Sequence, residues 1–170
     1  MENMTVYGSK ISYYTWKLET YLRLRRIPYL LLPTTAGPLK RLKEKTGTTQ
    51  MPVVRLGDER WMTDTTPMLA WLETQFEGRS IYPADPVLNA IALLIEDYAD
   101  EWLWRPAMHY RWSFRQSRQY AAEVLYEELI RGHLPMPRPI GINYLKHRQL
   151  TGFVWGDGVT RQTRACLSPL

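Results

Sequence analysis

Residues 51–67 read MPVVRLGDERWMTDTTP, and two signals in this stretch decide the fold. Pro52 stands directly before the apolar run Val53-Val54, which otherwise reads as a β-strand. Proline has no backbone N–H, so it is tolerated at the head of a strand and costs one ladder position there. Gly57 and Asp58 then supply a turn, and "RWMT" returns as the second arm of a hairpin. Asp64 follows, eleven positions after Val53, at the mouth of a helical pattern set by Met68, Leu72 and Phe76.

Working back toward the N-terminus, "TVYGS" alternates like a short strand. Tyr14, Leu18, Tyr21 and Leu22 then follow the spacing of one helix face, with Ser12 placed to cap it. "YLLLP" reads as a buried strand. "GPLKRLKEKTG" opens on proline and closes on glycine, as a short helix does. The order is βαβαββα within about 80 residues, which points to an α/β fold. "EGRSIYPADP" is rich in turn-formers and reads as a linker. Asp85-Pro86 then opens a helix striped by Val87, Ile91, Leu94, Tyr98 and Trp102. All later periodicity is helical.

A chain of 170 residues with a 45% apolar fraction is of ordinary globular composition. Its longest apolar run, Ala90 to Ile95, falls far short of the ~20 residues that cross a bilayer. The opening "MENMTVYGSK" lacks the basic start and apolar centre of a signal peptide, and the cytoplasm is the expected location. Cys166 is the single cysteine, so neither an internal disulfide nor a cysteine-based metal site is expected. His109, His133 and His147 share no metal-ligand spacing, and no metal is expected. Residues 1–104 carry 12 Lys/Arg and 13 Asp/Glu, whereas residues 105–170 carry 10 and 4. The basic residues of that second part are dispersed and belong to no nucleic-acid motif, so a solvated helical face is the better reading.

With these motifs in place, the sequence resembles the cytosolic glutathione S-transferases. The resemblance runs from Thr5 to about Trp112 and is clearest in the first 80 residues. Its carriers are "QMPVV", similar to that family's cis-proline before the third strand, and "TDTTPMLAWLE", similar to its acid-plus-Ser/Thr pair opening the third helix. It implies a thioredoxin-like glutathione-binding domain over residues 1–78, a linker over 79–86, and an all-helical C-terminal domain over 87–170. The implied activity is a detoxifying conjugation of the glutathione thiolate to a small apolar electrophile. The alternative is a non-catalytic binding or dimerisation module of the same fold.

The resemblance also implies roles for residues. A peptide such as glutathione would pair with the backbone beside Pro52, at the N–H and C=O of Val53, as an added strand pairs with a sheet edge. Asp64 would meet the ammonium of its γ-glutamyl group. Thr65 or Thr66 would cap the helix whose N-terminus receives the carboxylate. Thiol activation falls to Ser12, with Tyr7 and Ser9 as alternatives, or to no residue at all. Serine rather than cysteine at position 12 favours conjugation over thiol–disulfide exchange. Tyr98, Trp102 and His109 are expected to wall the electrophile pocket, although a Trp stripe is more often core. A homodimer through the third and fourth helices is implied as well. After about residue 130 the match weakens and the family's Ser-x-Ala-Asp-like capping box is missing, so a truncated or diverged C-terminal domain is expected. Every residue of the glutathione site is expected to lie before Glu73.

Overall fold

The computed structural model describes residues 4–155. They form two compact units: the described residues up to Arg79 together with Glu127–Met136, and Ser80–Tyr126 together with the described residues from Pro137 onward.

The first unit holds a four-stranded mixed sheet: β1 (Thr5–Gly8), β2 (Leu30–Pro33), β3 (Val53–Arg55) and β4 (Trp61–Thr63). The strand order is β2-β1-β3-β4, with β1 parallel to β2 and antiparallel to β3, and β3 antiparallel to β4. Three helices complete the expected thioredoxin-like βαβαββα order: α1 (Tyr13–Leu24), α2 (Ala36–Thr46) and α3 (Thr65–Gln75). Val6 and Val54 are register partners at the centre of the sheet, and both are buried. The core adds Leu18, Tyr21 and Leu22 from α1 and Met68, Leu69 and Leu72 from α3, the faces that helical periodicity picks out. Gly47 ends α2 in the left-handed region (φ 75°), where glycine carries no Cβ penalty.

Two expectations need correction here. β2 is not buried: it is the sheet edge, and Leu30 is 57% exposed. An apolar run cannot report by itself whether neighbours cover both faces of a strand. The hairpin turns at Gly57-Asp58 as expected, and the next residue, Glu59, takes the left-handed conformation (φ 62°). Its N–H bonds to Leu56 O at 3.1 Å, and Leu56 N bonds to Arg60 O at 2.9 Å. Finally, Val53 does not lack neighbouring strands. It stands in register with Tyr7 on one side and Thr63 on the other, because β4 pairs with β3 from its first residue. The backbone outside the sheet is that of Met51, which is joined to Pro52 by a cis peptide bond.

The second unit is helical: α4 (Pro86–Tyr98), α5 (Trp104–Ser113), α6 (Arg115–Leu125) and α7 (Arg138–Gln149). Asp85 caps α4 by accepting from Val87 N and Leu88 N, both at 2.9 Å. His109, Trp112, Ala121, Ala122, Leu125, Ile142 and Leu145 are buried, whereas α4 buries none of its residues. Among the described residues no helix is long and apolar enough to cross a membrane. Cys166 lies outside the described residues.

Candidate functional site

The loop between β1 and α1 is built from its own side chains. Ser12 is the N-cap of α1, and its Oγ accepts from Thr15 N at 3.2 Å. Ser12 N donates to Ser9 O at 3.0 Å, closing the turn. Thr15 is fully buried, and its Oγ1 accepts from Ser9 N at 3.4 Å. Ser12 itself is half-buried. Its lone pair holds the cap while its hydroxyl proton remains a donor, so capping and donation to a ligand are compatible.

Ser9 differs from Ser12. It is buried, and its hydroxyl donates to Glu128 Oε2 at 2.6 Å. That bond uses its single proton, so in this arrangement Ser9 has none to offer a thiolate. Tyr7 is engaged elsewhere. Its ring stacks on Trp61 with centroids 5.9 Å apart, and Arg55 lies 5.9 Å from the same indole centroid. Glu59 holds the Arg55 guanidinium above its ordinary pKa, with a smaller contribution from the Tyr7 hydroxyl.

At α3 the cap is Asp64, not Thr65 or Thr66. Its Oδ1 accepts from Thr66 N at 3.1 Å. Thr65 is buried, while Asp64 and Thr66 are exposed. Asp64 adopts φ 69° and ψ 119°, a region that non-glycine residues seldom occupy. Conformations of this kind cost of order 1–3 kcal/mol and concentrate at ligand clamps. The two helix openings are tied together, because Lys17 Nζ from α1 donates to Thr66 Oγ1 at 3.2 Å. A cation and a carboxylate thus flank the start of α3, beside a partly positive helix end.

Residues 6–80 match the family model of the glutathione S-transferase N-terminal domain. Over these residues the chain is similar to the N-terminal domain of the glutathione S-transferases. No curated protein sequence matches it. Among solved structures it is similar to the Tau class glutathione S-transferase of mango, Mangifera indica, at 21% identity and TM-score 0.56, over 89% of this chain and 76% of that one. It is also similar to a glutathione S-transferase of Methylobacterium radiotolerans in complex with glutathione sulfonate, at 16% identity and TM-score 0.56, over 91% of this chain and 65% of the other. A glutathione transferase family member from Pseudomonas fluorescens with bound glutathione shares 17% identity at TM-score 0.55, over 98% of this chain and 100% of that one. At these identities the likeness speaks to fold.

In the second unit the three residues expected at the pocket wall differ in exposure. Tyr98 and Trp102 are exposed, whereas His109 is buried. Arg105 lies over both Trp102 and Trp104, at 5.1 and 5.4 Å from their centroids. His109 Nδ1 meets Ser113 Oγ at 2.9 Å, and its ring meets Tyr110 and Phe114 edge-on. The three candidates therefore occupy different environments. Among the described residues no group of three or more His, Cys, Asp or Glu could hold a metal ion.

Sequence reasoning missed two participants. Lys17 shows only as a polar position on α1, and its relation to Thr66 depends on how α1 packs on α3. Glu128 lies 119 residues from Ser9, far beyond the segment that holds the candidate glutathione-site residues. No local signal marks it.

Proposed function

We propose that this chain binds reduced glutathione and transfers its thiolate to a small apolar electrophile. The observation that carries this reading is the pair of capped helix openings on α1 and α3, joined by Lys17 and Thr66. Glutathione is a dipolar peptide, and its γ-glutamyl ammonium pairs with the Asp64 carboxylate. The carboxylate on the same carbon lies against the N-terminus of α3, with Thr65, Thr66 and Lys17 beside it. The cysteinyl backbone pairs next to Pro52. Met51 takes the role first assigned to Val53, since Val53 already has a strand partner on each side.

Ser12 then faces the sulfur. A free thiol has pKa near 8.5, and the thiolate is the nucleophile. A hydroxyl donor and the positive end of α1 both favour the charged form. Attack forms a carbon–sulfur bond to the electrophile, whose leaving group or conjugated carbon takes the displaced electron pair. The Pseudomonas fluorescens structure with bound glutathione and the Methylobacterium radiotolerans structure with glutathione sulfonate support the ligand class. Tyr98, Trp102 and His109 remain the proposed contacts for the electrophile. Residues 1–78, 79–86 and 87–170 are the proposed glutathione-binding domain, linker and helical domain.

A homodimer accompanies this reading. α4 exposes Val87, Ile91, Leu94, Ile95 and Tyr98 along one side, and a two-fold axis would set that stripe against its own copy. The second reading, a non-catalytic module, is favoured by Ser12 having a sufficient structural role as a cap. Retention on immobilised glutathione, followed by turnover of a generic aromatic electrophile, tests both. Retention with no turnover selects the module, and absence of retention ends the glutathione reading.

A further inference from the structure

Glu128 reaches the candidate site from far along the chain. It sits in the π-helical segment Tyr126–Ile130 that follows α6, and it is 8% exposed. The stretch Glu127–Met136 clusters with the first unit, not with the helices that flank it in sequence. Both carboxylate oxygens are engaged by consecutive residues of the β1–α1 loop. Oε2 accepts from Ser9 Oγ at 2.6 Å, and Oε1 accepts from Lys10 N at 3.1 Å.

What the carboxylate holds is the turn that presents Ser12. Ser9 Oγ, fixed by Glu128, also accepts from Ile11 N at 3.4 Å, and Ser9 O accepts from Ser12 N at 3.0 Å. Ser12 Oγ in turn accepts from Thr15 N in the first turn of α1. The chain of bonds runs Glu128, Ser9, Ser12, Thr15. Removing its first member would leave the Ser9 hydroxyl and the Lys10 amide without their acceptor at a largely buried position, which a loop can relieve only by moving.

We infer that Glu128 is a positioning residue for Ser12: it sets the β1–α1 turn and thereby the direction of the Ser12 hydroxyl. The catalytic part of this inference rests on the glutathione reading given above; the positioning part does not. The interaction spans 119 residues and ties a late segment of the chain to the opening of the first helix.

Two measurements on the full chain test it, in Glu128→Ala and in the isosteric Glu128→Gln. The first is amide hydrogen exchange. Loss of the carboxylate should lower protection of the Thr15 amide roughly five- to tenfold, about the worth of an N-cap. Glu128→Gln, which keeps one acceptor, should restore part of it. Leu72 in the core of α3 should be unaffected. Unchanged Thr15 protection, or an equal loss at Leu72, overturns the inference. The second is the thiol titration of bound glutathione in a double-mutant cycle with Ser12→Ala. The shift produced by Ser12→Ala should vanish in the Glu128→Ala background. A shift of equal size in both backgrounds overturns the catalytic part. If Ser12→Ala shifts nothing even beside an intact Glu128, the glutathione-activation reading fails, and the exchange data alone decide the positioning.

Discussion

Gly8 lies so close to Thr15 that a Cβ built on the glycine would sit 2.6 Å from both Oγ1 and Cγ2 of the threonine. The end of β1 and the first turn of α1 therefore meet without room for a methyl group. This contact sets where α1 begins, and it places the Ser12 cap relative to the sheet. Gly8→Ala should destabilise the fold by about 1–3 kcal/mol, the usual cost of overpacking a filled site. Thermal unfolding checks it: a midpoint equal to that of the native chain would mean that Thr15 yields freely.

Ser12 combines two roles with separable readouts. Ser12→Ala should cost about 1 kcal/mol of stability through the lost cap. It should also raise the pKa of bound glutathione by roughly one to two units, because a hydrogen bond to a charged sulfur is worth about 1.5–3 kcal/mol. The sign follows from the charged form being the one stabilised. Turnover near pH 7 falls about tenfold or more and partly returns at higher pH, while Tyr7→Phe does little. Thiolate absorbance against pH decides it; a titration that moves in Tyr7→Phe and not in Ser12→Ala would transfer the role to Tyr7.

Asp64 is held at φ 69° and carries the carboxylate proposed to meet the ligand ammonium. Asp64→Ala should weaken glutathione binding by about 1.5–3 kcal/mol. Asp64→Gly should weaken it similarly and yet stabilise the fold, since glycine occupies positive φ at little cost and loses only a few tenths of a kcal/mol as a cap. Calorimetry with parallel unfolding tests the pair. Intact affinity in both variants would remove Asp64 from the binding site.

The α4 stripe predicts association. Ile91→Glu and Leu94→Glu each place a charge within it and should convert a dimer into a monomer in sedimentation. A stable dimer buries about 1,200–2,000 Å² of total area, so the stripe would form part of a wider interface. A native chain that sediments as a monomer at high concentration refutes the proposal.

Tyr21 gives a pH prediction at the alkaline end. Burial, then the hydrogen bond to Glu73 at 2.6 Å, pushes its hydroxyl pKa well above the ordinary 10. The unfolded chain therefore loses this proton first as pH rises past 10, the native state keeps it, and stability declines. Tyr21→Phe should flatten that decline. Denaturant midpoints measured on either side of pH 10 in both chains supply the comparison, and equal slopes would deny Tyr21 the role.

The order of elements was legible in the sequence because each depends on local chemistry. Ser12 and Asp85 cap helices through bonds to amides two or three residues away, and Gly47 ends α2 through its own φ. Leu18, Leu22, Met68 and Leu72 show their helix faces by spacing alone, and all four are core. Pro52 and Asp64 stand out by residue type. The exposure of β2 was not legible, since "YLLLP" has the same composition at an edge as at a centre. Nor were the two strand neighbours of Val53, which depend on pairing with β1 and β4. Local sequence thus determined which elements form and where they start and stop, because caps, turns and periodicity act within about one helical turn. Only the tertiary structure decided that Ser9 spends its proton on Glu128, that Lys17 meets Thr66, and that Tyr7 stacks on Trp61. Those pairs join residues 49 to 119 positions apart, and the packing of helices and strands, which no local signal encodes, brings them together.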